Sequence, residues 1–334
     1  MIPRIPHPEH RPEWQSQLAR AVKSTDELLR LLEIDPARLK IQPLANDFPL
    51  RVPHGFVRRM SRGDIHDPLL RQVLPVSEET LKIEGFCHDP LAEIAAMPSP
   101  GLLHKYRGRA LLTVTGACAV HCRYCFRRHF PYSDANPAME HLEQSIRYLG
   151  QHPDIGEIIL SGGDPLSLTD NRLQALCEQL SALPQLHTLR IHTRLPVVLP
   201  ERVDASLLDW IGTQRMKVVM VLHCNHANEI DTDVRAAMQQ LTQAGVTLLN
   251  QSVLLRGVND SAQALVQLSE TLFTAGILPY YLHMLDRVQG AAHFAVSEAR
   301  ANELLARVRA SLPGYLVPRL VQEIPGAHSK MPLP

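Results

Sequence analysis

The chain has 334 residues, 45% hydrophobic and 20% charged, with 34 Lys and Arg set against 34 Asp and Glu. This profile fits a globular protein with a sizeable core, and its balanced charge offers no bulk attraction to a polyanion, so direct nucleic-acid binding is not expected. No apolar run approaches the roughly 20 residues that cross a bilayer, and the opening Met-Ile-Pro-Arg-Ile-Pro-His lacks an apolar signal core, which predicts a cytoplasmic protein without membrane association.

Residues 1–100 are rich in Pro and read as a helical N-terminal extension. Trp14, Leu18, Ala21 and Val22 fall on one helical face, and Ser24 with Glu27 forms a capping box ahead of an apolar stretch. The region predicts packing rather than chemistry. From residue 110, short β-rich runs at 111–115, 157–160, 189–193, 217–223, 246–255 and 278–285 alternate with helical patterns near 138–150, 170–183, 201–212, 230–244, 260–275 and 297–311. Six βα units imply an α/β fold with a parallel sheet and right-handed crossovers. Nearly every predicted strand ends in a polar cluster. A doubly wound sheet gathers function at one switch point, whereas a barrel gathers it at all its C-terminal strand ends, so the pattern predicts a partial (β/α)6 TIM-like barrel over 101–312. A short C-terminal segment, 313–334, follows it.

Six cysteines are too few for a disulfide scaffold, yet Cys118, Cys122 and Cys125 crowd into eight residues behind the first predicted barrel strand. Three thiolates on one loop can hold a 4Fe–4S cluster with one iron left open to a ligand, whereas structural zinc needs four closed ligands. The zinc alternative would draw its fourth donor from His121, Cys177 or Cys224.

The Cys-x3-Cys-x-aromatic-Cys pattern, followed one βα unit later by Ser161-Gly162-Gly163-Asp164, resembles the radical S-adenosylmethionine (SAM) superfamily. Further motifs sharpen the resemblance to the lysine 2,3-aminomutase family: His104-Lys105-Tyr106-Arg107-Gly108-Arg109, Arg194-Leu-Pro-Val-Val-Leu-Pro200, His223-Cys-Asn-His226, Asn250-Gln-Ser-Val-Leu-Leu-Arg-Gly-Val-Asn-Asp260 and Pro325-Gly-Ala-His-Ser-Lys330. The resemblance implies an isomerase that uses a 4Fe–4S cluster, SAM and pyridoxal phosphate (PLP) to convert L-lysine to β-lysine by 1,2-amino migration. It implies PLP carried on Lys330, with Lys105, Tyr106, Arg109 and Gln251 around it. Ser161, Gly162, Gly163 and Asp164, with His223, Asn225 and His226, would approach SAM. Arg127 would clamp the substrate carboxylate, and Asp286 and Glu323 its distal ammonium.

Where the family has Asp and Arg, this chain has Glu323 and Lys105, and it stops four residues past Lys330. These departures look like the bacterial branch that prepares β-lysine for elongation factor P. The implied partners are therefore L-lysine, an electron donor such as flavodoxin or ferredoxin, and elongation factor P with its lysine ligase. The alternatives are a catabolic or biosynthetic amino-acid 2,3-aminomutase and a non-catalytic metal-binding partner protein.

Overall fold

A computed structural model of the chain describes residues 12–39, 48–132 and 139–333. Four short helices, α1 (Glu13–Ala19), α2 (Thr25–Leu31), α3 (His54–Val57) and α4 (Pro68–Arg71), precede the sheet. Strands β1 (Leu102–Tyr106) and β2 (Arg109–Thr115) form an antiparallel hairpin. From β2 onward, β3 (Glu157–Gly162), β4 (Thr188–Thr193), β5 (Lys217–His223), β6 (Thr247–Val253), β7 (Leu278–His283) and β8 (Arg319–Gln322) each pair parallel with the preceding strand. The two-residue β9 (Met331–Pro332) closes back antiparallel on β8.

The crossovers are α5 (Met139–Gln151), α6 (Asp170–Ser181), the short α7 (Leu195–Val198) with α8 (Ala205–Gly212), α9 (Thr232–Gln243), α10 (Ala262–Thr274) and α11 (Glu298–Ser311). Polar residues ahead of four of them satisfy first-turn N–H groups: Asp204, Asp231, Ser261 and Ser297 accept from Leu207, Val234, Ala264 and Arg300. Strand order is sequential from β1 to β9, so the sheet is an open, incomplete barrel. The six expected βα units are present, and β1, β8 and β9 are strands the sequence reading did not foresee.

Side-chain alternation sets the two faces of this sheet. Leu112, Ile158, Leu160, Leu189, Ile191, Met220 and Leu222 face outward and pack with helix residues such as Leu149, Leu173, Leu207 and Met238 in one core. Each such side chain stabilises the fold by roughly 1.5–3 kcal/mol relative to exposure. The opposite parity, including Arg190, His192, His223, Gln251, Tyr281 and His283, lines an internal cavity. One expectation for the extension needs correction. Helix α1 ends at Ala19, so Ala21 and Val22 lie beyond it, and Val22 instead bridges antiparallel to Val52. The extension also shares its core with the barrel, Trp14, Phe56 and Leu69 belonging to the same cluster as Leu112 and Met220. No helix among the described residues is long and apolar enough to cross a membrane.

Candidate active site

The cavity encloses about 560 Å³, within the usual range for a small-molecule site, and strand-end residues from β2 through β7 surround it. At one end Cys118, Cys122 and Cys125 open into it, half-buried and free of disulfides. They sit on the loop between β2 and α5, where Cys125 N–H bonds the Cys122 carbonyl at 3.0 Å and Arg128 N–H the Cys125 carbonyl at 3.2 Å. Among the described residues no three His, Cys, Asp or Glu side chains converge to hold a single ion. A cluster requires no such convergence, because each thiolate holds a different iron. Of the donors proposed for zinc, Cys177 is buried in α6 and buried Cys224 donates to the His226 carbonyl, neither lining the cavity, whereas His121 lines it with Nδ1 2.7 Å from the Pro49 carbonyl.

The loop is held from behind by the N-terminal extension. Glu79 pairs with Arg123 at 2.5 and 2.8 Å and with Arg128 at 2.7 Å. Arg194, buried, donates to Cys122 Sγ at 2.8 Å, to Tyr124 Oη at 2.8 Å and to Glu229 at 2.9 Å. Gln72 is the hub: its Oε1 accepts from Arg194, Tyr124 and Asn225, while its Nε2 donates to Glu229. Replacing Gln72 with Leu would strip partners from four buried groups at roughly 1–3 kcal/mol apiece if each were fully orphaned. The expected Gln72→Leu protein unfolds at lower urea and retains less iron after anaerobic reconstitution; equal iron content and midpoint would refute a supporting role.

The Ser161–Asp164 turn lies beside the cysteines. Gly162 has φ +115°, and a Cβ on it would stand 2.6 Å from the Thr115 carbonyl oxygen; one on Gly163 would stand 2.4 Å from that of Ala117. Only glycine permits this approach, which leaves backbone facing the cavity. Asp164 is differently occupied, because its oxygens accept from Thr193 Oγ1, Leu166 N, Arg194 N and Leu195 N. It pins the β3 and β4 ends together. His223 reaches the cavity and lies 3.1 Å from Tyr124 Oη. Asn225 is fully buried behind the wall, and His226 caps a short turn by accepting from Asn228 N. Neither is among the cavity-lining residues.

At the other end, acids and bases alternate. Arg127 pairs with Glu93 at 2.6 and 2.9 Å, Glu93 with Lys105 at 3.2 Å, Lys105 with Glu323 at 3.1 Å, and Glu323 with Lys330 at 2.8 Å. Burial would raise the Glu323 carboxyl, but Lys330 and Lys105 outweigh it and hold it at about 2. Burial and then the Glu323 charge push Asp286 the other way, up to about 7. Tyr106 is raised by burial and by Glu323, and its ring carries the Arg109 guanidinium at 4.7 Å. Gln251 faces the same space from β6. Nε2 of His192 and of His283 are buried on this wall without a hydrogen-bond partner. Such orphaned nitrogens, with a row of cations, fit a polar anionic guest. Glu93, Gln72, Glu79 and Glu229 escaped sequence reading because no motif surrounds them; the only signal was that buried Arg127 and Arg194 would each require an acid.

A Radical SAM superfamily profile matches residues 112–209. The chain is 50% identical to the L-lysine 2,3-aminomutase of Escherichia coli across 97% of this chain and 95% of that protein. The Haemophilus influenzae protein of the same name is 45% identical across 99% and 98%. That of Clostridium subterminale is 32% identical across 96% of this chain and 77% of its own.

Proposed function

Because the chain belongs to the L-lysine 2,3-aminomutase family of radical SAM enzymes, we propose that its cavity isomerises L-α-lysine to β-lysine, and that the product serves modification of elongation factor P. The family implies a 4Fe–4S cluster, SAM and PLP. When bound, the reduced cluster with SAM supplies a hydrogen-abstracting radical, and PLP supplies the conjugated system through which the amino group migrates.

The residues present fit these groups. Cys118, Cys122 and Cys125 would hold three irons, and the glycine turn at Gly162 and Gly163 would bring backbone to SAM. Lys330 would carry PLP, with Lys105 and Arg109 facing its phosphate, Tyr106 beside the ring, and Gln251 and the orphaned His192 and His283 nitrogens as polar neighbours. Arg127 would take the substrate carboxylate. Asp286 would take the distal ammonium, with Glu323 adding negative charge. Ionic contacts at both ends of lysine fix its β-carbon, and a small misplacement there would lose much of the rate.

The observation that carries this reading is one cavity lined at one end by three free thiols and at the other by a lysine flanked with cations and acids. The reading requires about four irons per chain after anaerobic purification, a SAM-dependent change in the reduced cluster's EPR spectrum, and β-lysine formed from L-lysine with SAM, PLP and dithionite. Zinc in place of iron, or no β-lysine from a fully loaded enzyme, would sink it. The departures at Lys105 and Glu323 support the elongation factor P assignment. Intact-mass spectra of that factor, incubated with its lysine ligase, should show faster modification with this enzyme's product than with L-lysine.

A further inference from the structure

Arg127 has its guanidinium gripped from the side. Nε and Nη2 donate to the two oxygens of Glu93 at 2.6 and 2.9 Å, and Nη1 donates to Ser161 Oγ at 2.9 Å. The side-on fork, with a further Nη1 contact to the Gly162 carbonyl at 3.4 Å, fixes the plane of the group in the cavity wall. Glu93 is itself held rather than loose. Its side chain is 4% exposed, its N–H bonds Asp89 Oδ1 at 3.0 Å, and the preceding Ala92 adopts φ +48°, a left-handed conformation that non-glycine residues rarely take. That kink delivers a carboxylate from the extension into the cavity wall, where it also pairs with Lys105 at 3.2 Å.

We propose that Glu93 is a positioning residue that aims Arg127 at the α-carboxylate of the substrate and, by sharing its other side with Lys105, keeps the amino-acid seat and the phosphate seat in register. The inference rests on the roles proposed above for Arg127 and Lys105. A substrate carboxylate approaching from the cavity then meets a guanidinium already oriented, so less ordering is lost on binding. A merely structural Glu93 would stabilise the fold without selecting for a carboxylate in the ligand.

Lysine and lysinamide, which lacks the carboxylate, separate these possibilities in anaerobically loaded holoenzyme. Wild type should favour lysine strongly in kcat/KM. Glu93→Gln should raise KM for lysine at least about tenfold, with kcat changed less than threefold, and should shrink the preference over lysinamide by a similar factor. Glu93→Asp, which keeps the charge on a shorter arm, should recover part of both losses. It also serves as the test should the Gln variant not fold: an intermediate preference supports the proposal, and an unaltered one overturns it. A fall in kcat with KM and the lysinamide preference unchanged would likewise overturn it. Failure of wild type to turn over lysine at all would instead strike the proposed reaction, which keeps the two failures distinguishable.

Discussion

Lys330→Ala should make no measurable β-lysine, a loss of at least about 10³-fold, or about 4 kcal/mol of transition-state stabilisation. The reason would be covalent: on the proposed reading, the variant lacks the amine that anchors PLP. Cofactor should then wash out on gel filtration, and the absorbance of a lysine-bound cofactor should be absent from the eluted protein. Fold and cluster should survive, for two reasons. Removal of Lys330 leaves no orphaned charge, since Glu323 keeps Lys105 at 3.1 Å. The thiols belong to the β2–α5 loop, whereas Lys330 belongs to the segment between β8 and β9. Iron content and the SAM-dependent EPR change should therefore match wild type. Retained turnover in the variant would remove Lys330 from the chemistry, and loss of iron would mean that its role is structural.

Local rules carry far for the barrel and less far for its support. β-rich runs separated by amphipathic stretches gave all six βα units to within a few residues, because each strand–helix pair obeys a period visible in its own sequence. The additional strands evade that rule: β8 has four residues and β9 two, and their pairing depends on edges supplied by the rest of the sheet. Strand β1 carries His104 and Lys105 and reads as a polar motif rather than a strand. The cysteine triplet and the glycine turn are legible because chemistry compresses them into a few neighbouring positions. The second layer of the site is spread over the chain. Gln72 meets Arg194 across 122 positions and Arg127 meets Glu93 across 34, and nothing local says which of 34 acids neutralises a given buried arginine. For that reason a Pro-rich extension that reads as packing turns out to grip both the cysteine loop and the cation row.

The two acids proposed for the lysine ammonium are not equivalent, and Asp286→Asn should reveal it. In this structure Lys105 engages Glu323 Oε1 and Lys330 its Oε2; Lys105 keeps its partner when Lys330 carries PLP, so recognition of the incoming cation falls chiefly to Asp286. Its carboxyl titrates at about 7 in the free protein, while the lysine side-chain ammonium stays charged across that range. Below about pH 7 the free enzyme must lose a proton before it can bind. KM for lysine should therefore rise toward tenfold per unit as pH falls, and level off above 7. Asp286→Asn should flatten that profile and raise KM by roughly 30- to 5,000-fold, the 2–5 kcal/mol typical of a buried charge pair lacking one member. Stability should move oppositely. Because the folded state holds the Asp286 proton up to a higher pH than an unfolded chain, this group's contribution favours folding least at high pH. The substrate-free Asn variant should thus outlast wild type in urea at pH 8, with the gap narrowing toward pH 4. A KM profile that keeps its slope in Asp286→Asn would assign the ammonium to another acid.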